Sequence, residues 1–386
     1  MNIQLLNKIA AVGTDKLDKA VYNIGADVAN PDAIMVRSAA MHDMEFGKEL
    51  KAIARAGAGV NNIPIDRCSE QGIVVFNTPG ANANGVKELA VCALLLASRN
   101  IVGGIKWAES LAGTEGVAKA VEAGKSKFAG CEIAGKTLGV IGLGAIGGLV
   151  AGIATHLKMD VVGCDPFISI DGAWNLNHHV SQAKTYDEIY KVADYITLHV
   201  PATPDTKNMI NAESIAKMKD GVKIINLSRA DLVDAAAVKE GLASGKISAY
   251  VTDFPTEDIV GVEGVITIPH LGASTEESED NCAVMAALEL DNYLRYGNIK
   301  NSVNFPNVDM PMSTAVRVCV LHANVPAILS QITGVLSAEG INIENLTNKS
   351  KGNNAYTVLD ISVKPDEATI AKLEGVSGIY RVRVIA

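Results

Sequence analysis

Short apolar runs and amphipathic stretches alternate through the first hundred residues, where AIMVRS, KAIARAG and GIVVF read as strands separated by helices. From Gly85 to Ile105 the chain keeps a helical pattern, VKELAVCALLLASRNI, with apolar residues all round its middle. Such a stretch predicts a buried helix, crossing between two domains. TLGVIGLGAIGGLVAGIATHLKMDVVGCD then reads as strand, glycine-rich turn, helix and strand. DYITLHV, GVKIINLS, KISAYVTDF and GVITIPH follow as near-continuous apolar strands, with helices over 212–219 and 234–244 between the first of them. A further helix over 275–296 closes this region. Alternating elements of this kind predict α/β architecture with doubly wound parallel sheets.

GNIKNSVNFPNVDMPMST, rich in Asn and carrying two prolines, reads as a linker. Beyond it come VRVCVL, a helix over 326–339, INIENLTNK, AYTVLDISVK, a helix over 366–373 and IYRVRVI. The order is βαββαβ, the ferredoxin-like plan.

Composition narrows the class. Of 386 residues, 48% are apolar and 20% charged, which predicts an ordered globular chain. A net charge of −9 lacks the basic footprint of a nucleic-acid binder or an anionic-membrane binder. The six cysteines, at 68, 92, 131, 164, 282 and 319, form no CxxC pair, so neither a zinc ribbon nor a disulfide staple is expected. A reducing, cytoplasmic setting is expected, with the cysteines as small buried hydrophobes. The N-terminus does not read as a signal peptide. Leu138 to Leu157 is uncharged enough to imitate a membrane span, but its six glycines fit strand, turn and helix start better. His178-His179 has no spaced third ligand, so no metal site is expected.

The glycine turn carries the first chemistry. In Gly142-Leu143-Gly144-Ala145-Ile146-Gly147 the first glycine permits a tight turn and the second lets a pyrophosphate approach the backbone. The third lets helix and strand pack closely, and the helix start offers free N–H groups to phosphates. Asp165 ends the next strand, where a carboxylate accepts ribose hydroxyls and repels a 2′-phosphate; NAD is expected over NADP.

LHVPATPDT, INLSRADLVD, DFPTED and PHLGASTEE all fall at strand C-termini, which line the ligand crevice of an open α/β sheet. They carry Arg229, Glu257 and His270. A Glu257 carboxylate beside His270 raises the imidazole's basicity for proton transfer with a hydroxyl carbon, and Arg229 can hold a substrate carboxylate in a fork.

With these motifs the chain resembles the NAD-dependent D-2-hydroxyacid dehydrogenases, and most closely those of the family that act on 3-phosphoglycerate and end in an ACT domain. The resemblance implies two Rossmann/flavodoxin-like domains plus a ferredoxin-like ACT domain. Residues 1–98 with 284–308 would bind substrate, 99–283 would bind NAD, and 315–386 would regulate. It implies Arg229, Glu257 and His270 as the catalytic trio. Ala145, Ile146, Asp165, Val200, Thr206, Leu227, Ser228 and Asp253 would join the glycines around NAD. In MVRSA and ARAGAGVNNI, Arg37, Ser38, Arg55, Gly57, Ala58 and Gly59 match substrate-facing loops, the two arginines meeting a phosphate. His322, Asn324 and Asn342 match residues that hold an L-serine effector between paired domains. The implied reaction is oxidation of 3-phosphoglycerate to 3-phosphohydroxypyruvate by a homodimer or homotetramer, at the entry to serine biosynthesis. Alternatives are a glyoxylate/hydroxypyruvate reductase of the same family, or a non-catalytic NAD(H)-sensing corepressor-like protein. The chain departs from the family at Ala230 and Ala327, where glycine is usual, and at Asp258, where proline is usual. Thr252 stands where the usual Asp precedes Phe254, with Asp253 one place later.

Overall fold

A computed structural model describes all residues from Met1 to Ala386. The chain forms two compact units, residues 1–81 with 279–386, and residues 82–278. In the first unit, β1 (Asn2–Leu6), β2 (Asn23–Gly25), β3 (Ala33–Val36), β4 (Ala52–Arg55) and β5 (Val74–Phe76) make a parallel sheet in the order β2-β1-β3-β4-β5. The three apolar runs are its buried strands β3, β4 and β5. β1 and β2, which the pattern did not suggest, are the partly exposed side of the sheet, and Ile3 alone of β1 is fully buried. The helix Glu276–Tyr296 lays Ala286, Leu290 and Tyr293 into one core with Ile3, Met35, Ala54 and Phe76.

The second unit holds β6 (Thr137–Ile141), β7 (Asp160–Cys164), β8 (Val180–Gln182), β9 (Tyr195–Leu198), β10 (Val222–Asn226), β11 (Ile247–Thr252) and β12 (Val265–Thr267). All are parallel, in the order β12-β11-β10-β9-β6-β7-β8. Strand order reverses between β6 and β9, which leaves a crevice beyond their C-terminal ends. β8 is a short polar edge strand that hydropathy did not reveal.

The long helical stretch is two helices, Ala83–Ser98 and Ile101–Ser110, bent by 70° at the break. Arg99 is extended, and the Asn100 side chain accepts the Gly103 amide as an N-cap, so a new helix starts there. Nor is the first helix apolar all round. Ala90, Ala93, Leu94 and Ala97 face Val140, Val150 and Ala154 of the second unit, while Cys92 and Leu95 face out. The second compact unit begins at residue 82, just before this helix, and ends at residue 278. No single helix is long and apolar enough to cross a membrane.

The stretch 297–314 is not a free linker. Ile299, Phe305, Val308 and Met310 are buried in the first unit's core. Asn304 lies along the open edge of β5, accepting the Val75 amide and donating to the Ile73 carbonyl, both at 2.9 Å. A side-chain amide thus closes a sheet edge that would otherwise expose its hydrogen-bonding groups.

The last residues follow the expected order. β13 (Val316–Ala323), β14 (Ile343–Lys351), β15 (Asn354–Ile361) and β16 (Ile379–Ile385) form an antiparallel sheet ordered β14-β15-β13-β16. One face, with Val318, Val320 and Leu359, packs on Ile332, Leu336 and Leu373 of its two helices. The other face sends Cys319, Leu321, Tyr356 and Val358 into the core of the N-terminal sheet. Beneath it Arg317, fully buried, meets Asp360 in a two-pronged pair at 2.7 and 3.1 Å and donates to the Tyr296 carbonyl. Such a pair survives burial only because every prong is matched. At the head of the first helix of this domain Ala327 takes a left-handed conformation, φ 64°, which suits glycine better.

Candidate active site

The glycine turn sits at the reversal point between β6 and β9. Gly142 has φ 89°, and a Cβ there would lie 2.5 Å from the His199 carbonyl oxygen. A Cβ on Gly147 would lie 1.9 Å from the Gly142 oxygen, so the protein's own packing demands both glycines. Gly144 differs: a Cβ there meets nothing. Its smallness serves something other than the fold, and an approaching ligand backbone fits that space. The amides of Gly144, Ala145 and Ile146 donate to no protein group, and they stand just ahead of the helix Gly147–His156. These features suit the diphosphate of a dinucleotide.

Asp165 directly follows β7. Its two oxygens accept the Leu143 and Phe167 amides at 2.9 Å each, which locks the carboxylate beside the turn. Val200 follows β9, half-buried; Leu227 and Ser228 follow β10, and the Ser228 hydroxyl donates to the Leu198 carbonyl at 2.7 Å. Thr206 shapes the loop after β9, donating to the Pro201 carbonyl. His199, not singled out from the sequence, is held by Thr197 at 2.9 Å, and burial pushes it down to about 4, so its ring is neutral.

At the ends of β10, β11 and β12 two side chains flank the ring of Phe254. The Arg229 guanidinium lies 5.7 Å from the centre of Phe254, and the Phe254 and His270 ring centres are 4.6 Å apart. Asn226, buried at the end of β10, donates to the Arg229 carbonyl at 2.8 Å and to Tyr250 at 3.3 Å, fixing the turn that presents the arginine. Sequence reading passed over Asn226 and Phe254 because each looks like an ordinary strand-end residue. Ala230 opens a short 3-10 helix without a positive φ, so glycine is not required there.

The expected Glu257–His270 pair is not formed. Glu257 stands exposed on the turn after Pro255 and makes no ion pair; a solvated carboxylate gains little from pairing. The carboxylate inside the cluster is Asp253. It is only 1% exposed, and one of its oxygens has no hydrogen-bond partner. Burial lifts its carboxyl above the usual carboxylate range, while the charges of His270 and Arg229 pull it back. Thr252 turns the other way, its hydroxyl accepting the Phe254 amide at 3.1 Å.

In the first unit, Arg37 and Ser38 follow β3, and Arg55, Gly57, Ala58 and Gly59 lie at the end of β4. Arg37 is half-exposed and pairs with Glu279 at 2.5 Å. Arg55 donates from Nε to the Arg37 carbonyl at 3.1 Å and has no carboxylate partner. Gly57, φ 149°, leaves room for that guanidinium, since a Cβ would lie 2.0 Å from Arg55 Nη1. Asn7, with φ 72°, accepts the amides of Arg37, Ser38 and Ala39.

The three residues matched to an effector site part company. His322 lies within β13, not in the loop after it, and is 1% exposed. Its ring nitrogens meet the Ala323 carbonyl and the Thr357 hydroxyl, both at 2.8 Å, so neither is free. Asn324 is exposed and donates to the Gly352 carbonyl at 3.1 Å. Asn342 precedes β14 and donates to Glu344 at 2.6 Å. Register puts Ala323 beside Asn354 and Ile343 beside Ile361, so Asn324 and Asn342 stand at opposite ends of one sheet.

Comparison with known proteins agrees with this geometry. Residues 93–272 match the family described as D-isomer specific 2-hydroxyacid dehydrogenase, NAD binding domain. A D-3-phosphoglycerate dehydrogenase of Methanocaldococcus jannaschii is 38% identical over 290 residues, 73% of this chain and 53% of that one. The chain thus spans about half the length of that relative. D-3-phosphoglycerate dehydrogenase 1 of Saccharomyces cerevisiae is 32% identical over 344 residues, 83% of this chain and 70% of the yeast protein. Among solved structures, cofactor (NAD+)-bound 3-phosphoglycerate dehydrogenase of Entamoeba histolytica matches with TM-score 0.60 and 27% identity. That match covers 79% of this chain and 98% of the other.

Proposed function

The chain belongs to the D-isomer specific 2-hydroxyacid dehydrogenase family, and from that premise we propose that it oxidises 3-phosphoglycerate to 3-phosphohydroxypyruvate with NAD. The observation that carries the reading is the cluster of His270, Arg229 and Asp253 at the strand ends of a sheet whose glycine turn leaves Gly144 open.

Gly142, Gly144, Ala145, Ile146 and Gly147 would hold the cofactor's diphosphate, and Asp165 its ribose hydroxyls. NAD so held supplies the hydride acceptor. His270 takes the proton of the substrate hydroxyl as the carbonyl forms. Asp253 supports the resulting imidazolium, since a buried carboxylate with an unused oxygen gains most when a cation forms beside it. Arg229 grips the carboxylate in its fork and polarises the carbonyl; Arg37 and Arg55 bind the phosphate. Purified protein oxidising NADH with phosphohydroxypyruvate, and at least tenfold less efficiently with glyoxylate or hydroxypyruvate, supports this reading. The reverse preference makes it a glyoxylate/hydroxypyruvate reductase.

The six cysteines are all free, which suits a reducing, cytoplasmic setting. Homo-oligomerisation through the C-terminal domain fits the exposed edge strand β14, whose free side is a template for a second copy. An L-serine site using both Asn324 and Asn342 would need two copies, and His322 would shape it from beneath. Calorimetry with L-serine on the wild type and on Asn324→Ala tests this; absence of heat and of inhibition removes the effector.

A further inference from the structure

The first unit contains a cavity of about 560 Å³ that none of the chemistry above uses. One wall is the loop Phe46–Lys51 ahead of β4, and the other is β16 of the C-terminal domain. Lys48, Lys51, Arg381 and Arg383 line it, against the single carboxylate of Glu374. Of the four cations only Lys51 has a charged partner, Asp32.

The two arginines stand two residues apart on one strand and so share a face. Arg381 is half-buried, reaches the Gln71 carbonyl at 3.1 Å, and feels Glu49 and Glu374 only at a distance. Arg383 lies over the Tyr293 ring at 4.3 Å and donates to the Leu294 carbonyl at 3.1 Å. Neither forms an ion pair. A guanidinium taken out of water without a carboxylate gives up solvation that neutral carbonyls only partly return. Here two such groups face a cavity with room for a small molecule, and exposed Lys48 stands at its mouth.

We propose that this cavity binds a small, multiply charged oxyanion, held in the forks of Arg381 and Arg383 and by the ammonium of Lys48. The occupant bridges the N-terminal sheet to the C-terminal domain, so it ties the two together as it binds. Phosphoryl and carboxylate groups both present a pair of oxygens that a guanidinium fork binds in parallel. Pyrophosphate and citrate serve as probes for the two sources.

The test uses the full chain with Arg55→Gln in the background, which removes phosphate binding at the substrate arginines. Isothermal titration with pyrophosphate or citrate is expected to retain one binding event per chain. Adding Lys48→Gln or Arg381→Gln weakens it at least tenfold, with the circular dichroism spectrum unchanged. Lys48 is exposed, so Lys48→Gln keeps the test valid if Arg381→Gln folds poorly. Heat from pyrophosphate alone identifies a phosphoryl ligand, and heat from citrate alone a polycarboxylate. No binding of either anion in the Arg55→Gln chain, or binding that ignores both added substitutions, overturns the proposal.

Discussion

The two parallel sheets solve the same problem in opposite ways. In the seven-stranded sheet the turn after β6 is glycine, and three backbone amides beyond it have no protein acceptor. In the five-stranded sheet Asn7, just after β1, fills the amides of Arg37, Ser38 and Ala39 after β3 with its side chain. Those three amides are filled, and the side chains of Arg37 and Arg55 remain to meet an anion beside the amides of Ala58 and Gly59 after β4, which donate to no protein group. One sheet end offers backbone dipoles and acid–base groups, the other offers guanidinium charge. The proposed function assigns chemistry and cofactor to the first and substrate anion to the second.

The sharpest way to break the division is His270→Ala. It is expected to lower turnover by roughly 10²–10⁴-fold while NAD binding, followed by NADH fluorescence, stays near normal. Turnover close to wild type would remove chemistry from the seven-stranded sheet.

Next in size is the contest between two carboxylates. Asp253→Asn is expected to cost about 10²-fold in kcat, and Glu257→Gln clearly less, because only Asp253 is buried in the His270 cluster. The opposite ranking would restore the Glu257 pairing expected from the motif. Stability gives an independent readout. The folded Asp253 carboxyl sits above its unfolded value, so the folded state binds its proton more readily. Asp253 therefore contributes a loss of stability as pH rises through the carboxylate range, and Asp253→Asn removes that contribution. The difference between wild type and Asp253→Asn in urea unfolding at pH 4 and pH 6 checks the sign.

Arg55→Gln probes the other sheet. Loss of a charged hydrogen bond made equally to substrate and transition state raises KM by roughly tenfold to a hundredfold and leaves kcat nearly unchanged. A fall in kcat with constant KM would give Arg55 a part in the chemistry.

The smallest effects compare the two turns directly. Asn7→Ala strips the acceptor from three amides and is expected to cost about 1 kcal/mol of stability. Gly144→Ala meets open space, so stability should stay within about 0.5 kcal/mol. Its cost appears instead as NAD affinity weakened about tenfold, since the methyl occupies the ligand's place. Thermal unfolding and NADH titration of both variants separate these outcomes.

Much of this was legible from residues alone. The buried strands announced themselves as apolar runs, and the glycine turn was legible because a positive φ and a helix start are local properties, although the His199 carbonyl that also demands Gly142 lies far along the chain. Asp165, Arg229 and His270 were found from their positions at strand ends. Asn7, Asn226 and Phe254 were not, because each works through partners whose identity depends on the fold. The Glu257–His270 contact was not legible for the same reason: spacing brings the two near along the chain, but the fold leaves Glu257 exposed and buries Asp253. The exposed Cys92 also escaped the reading of all six cysteines as buried hydrophobes.

The amino-acid order by itself determined the succession of strands and helices, the glycine turn and the βαββαβ plan of the last seventy or so residues, since these rest on periodicity and local dihedral preference. Only the tertiary structure decided where the apolar helix breaks into two and that Asn304 closes the edge of β5. It also decided that the C-terminal sheet shares a core with the N-terminal one. Asn304 and Val75 are 229 residues apart, and their bond exists because burial leaves the edge amide no water to bind. No local pattern carries that information; it belongs to the packing, where a polar group's partner is whichever one the fold brings within reach.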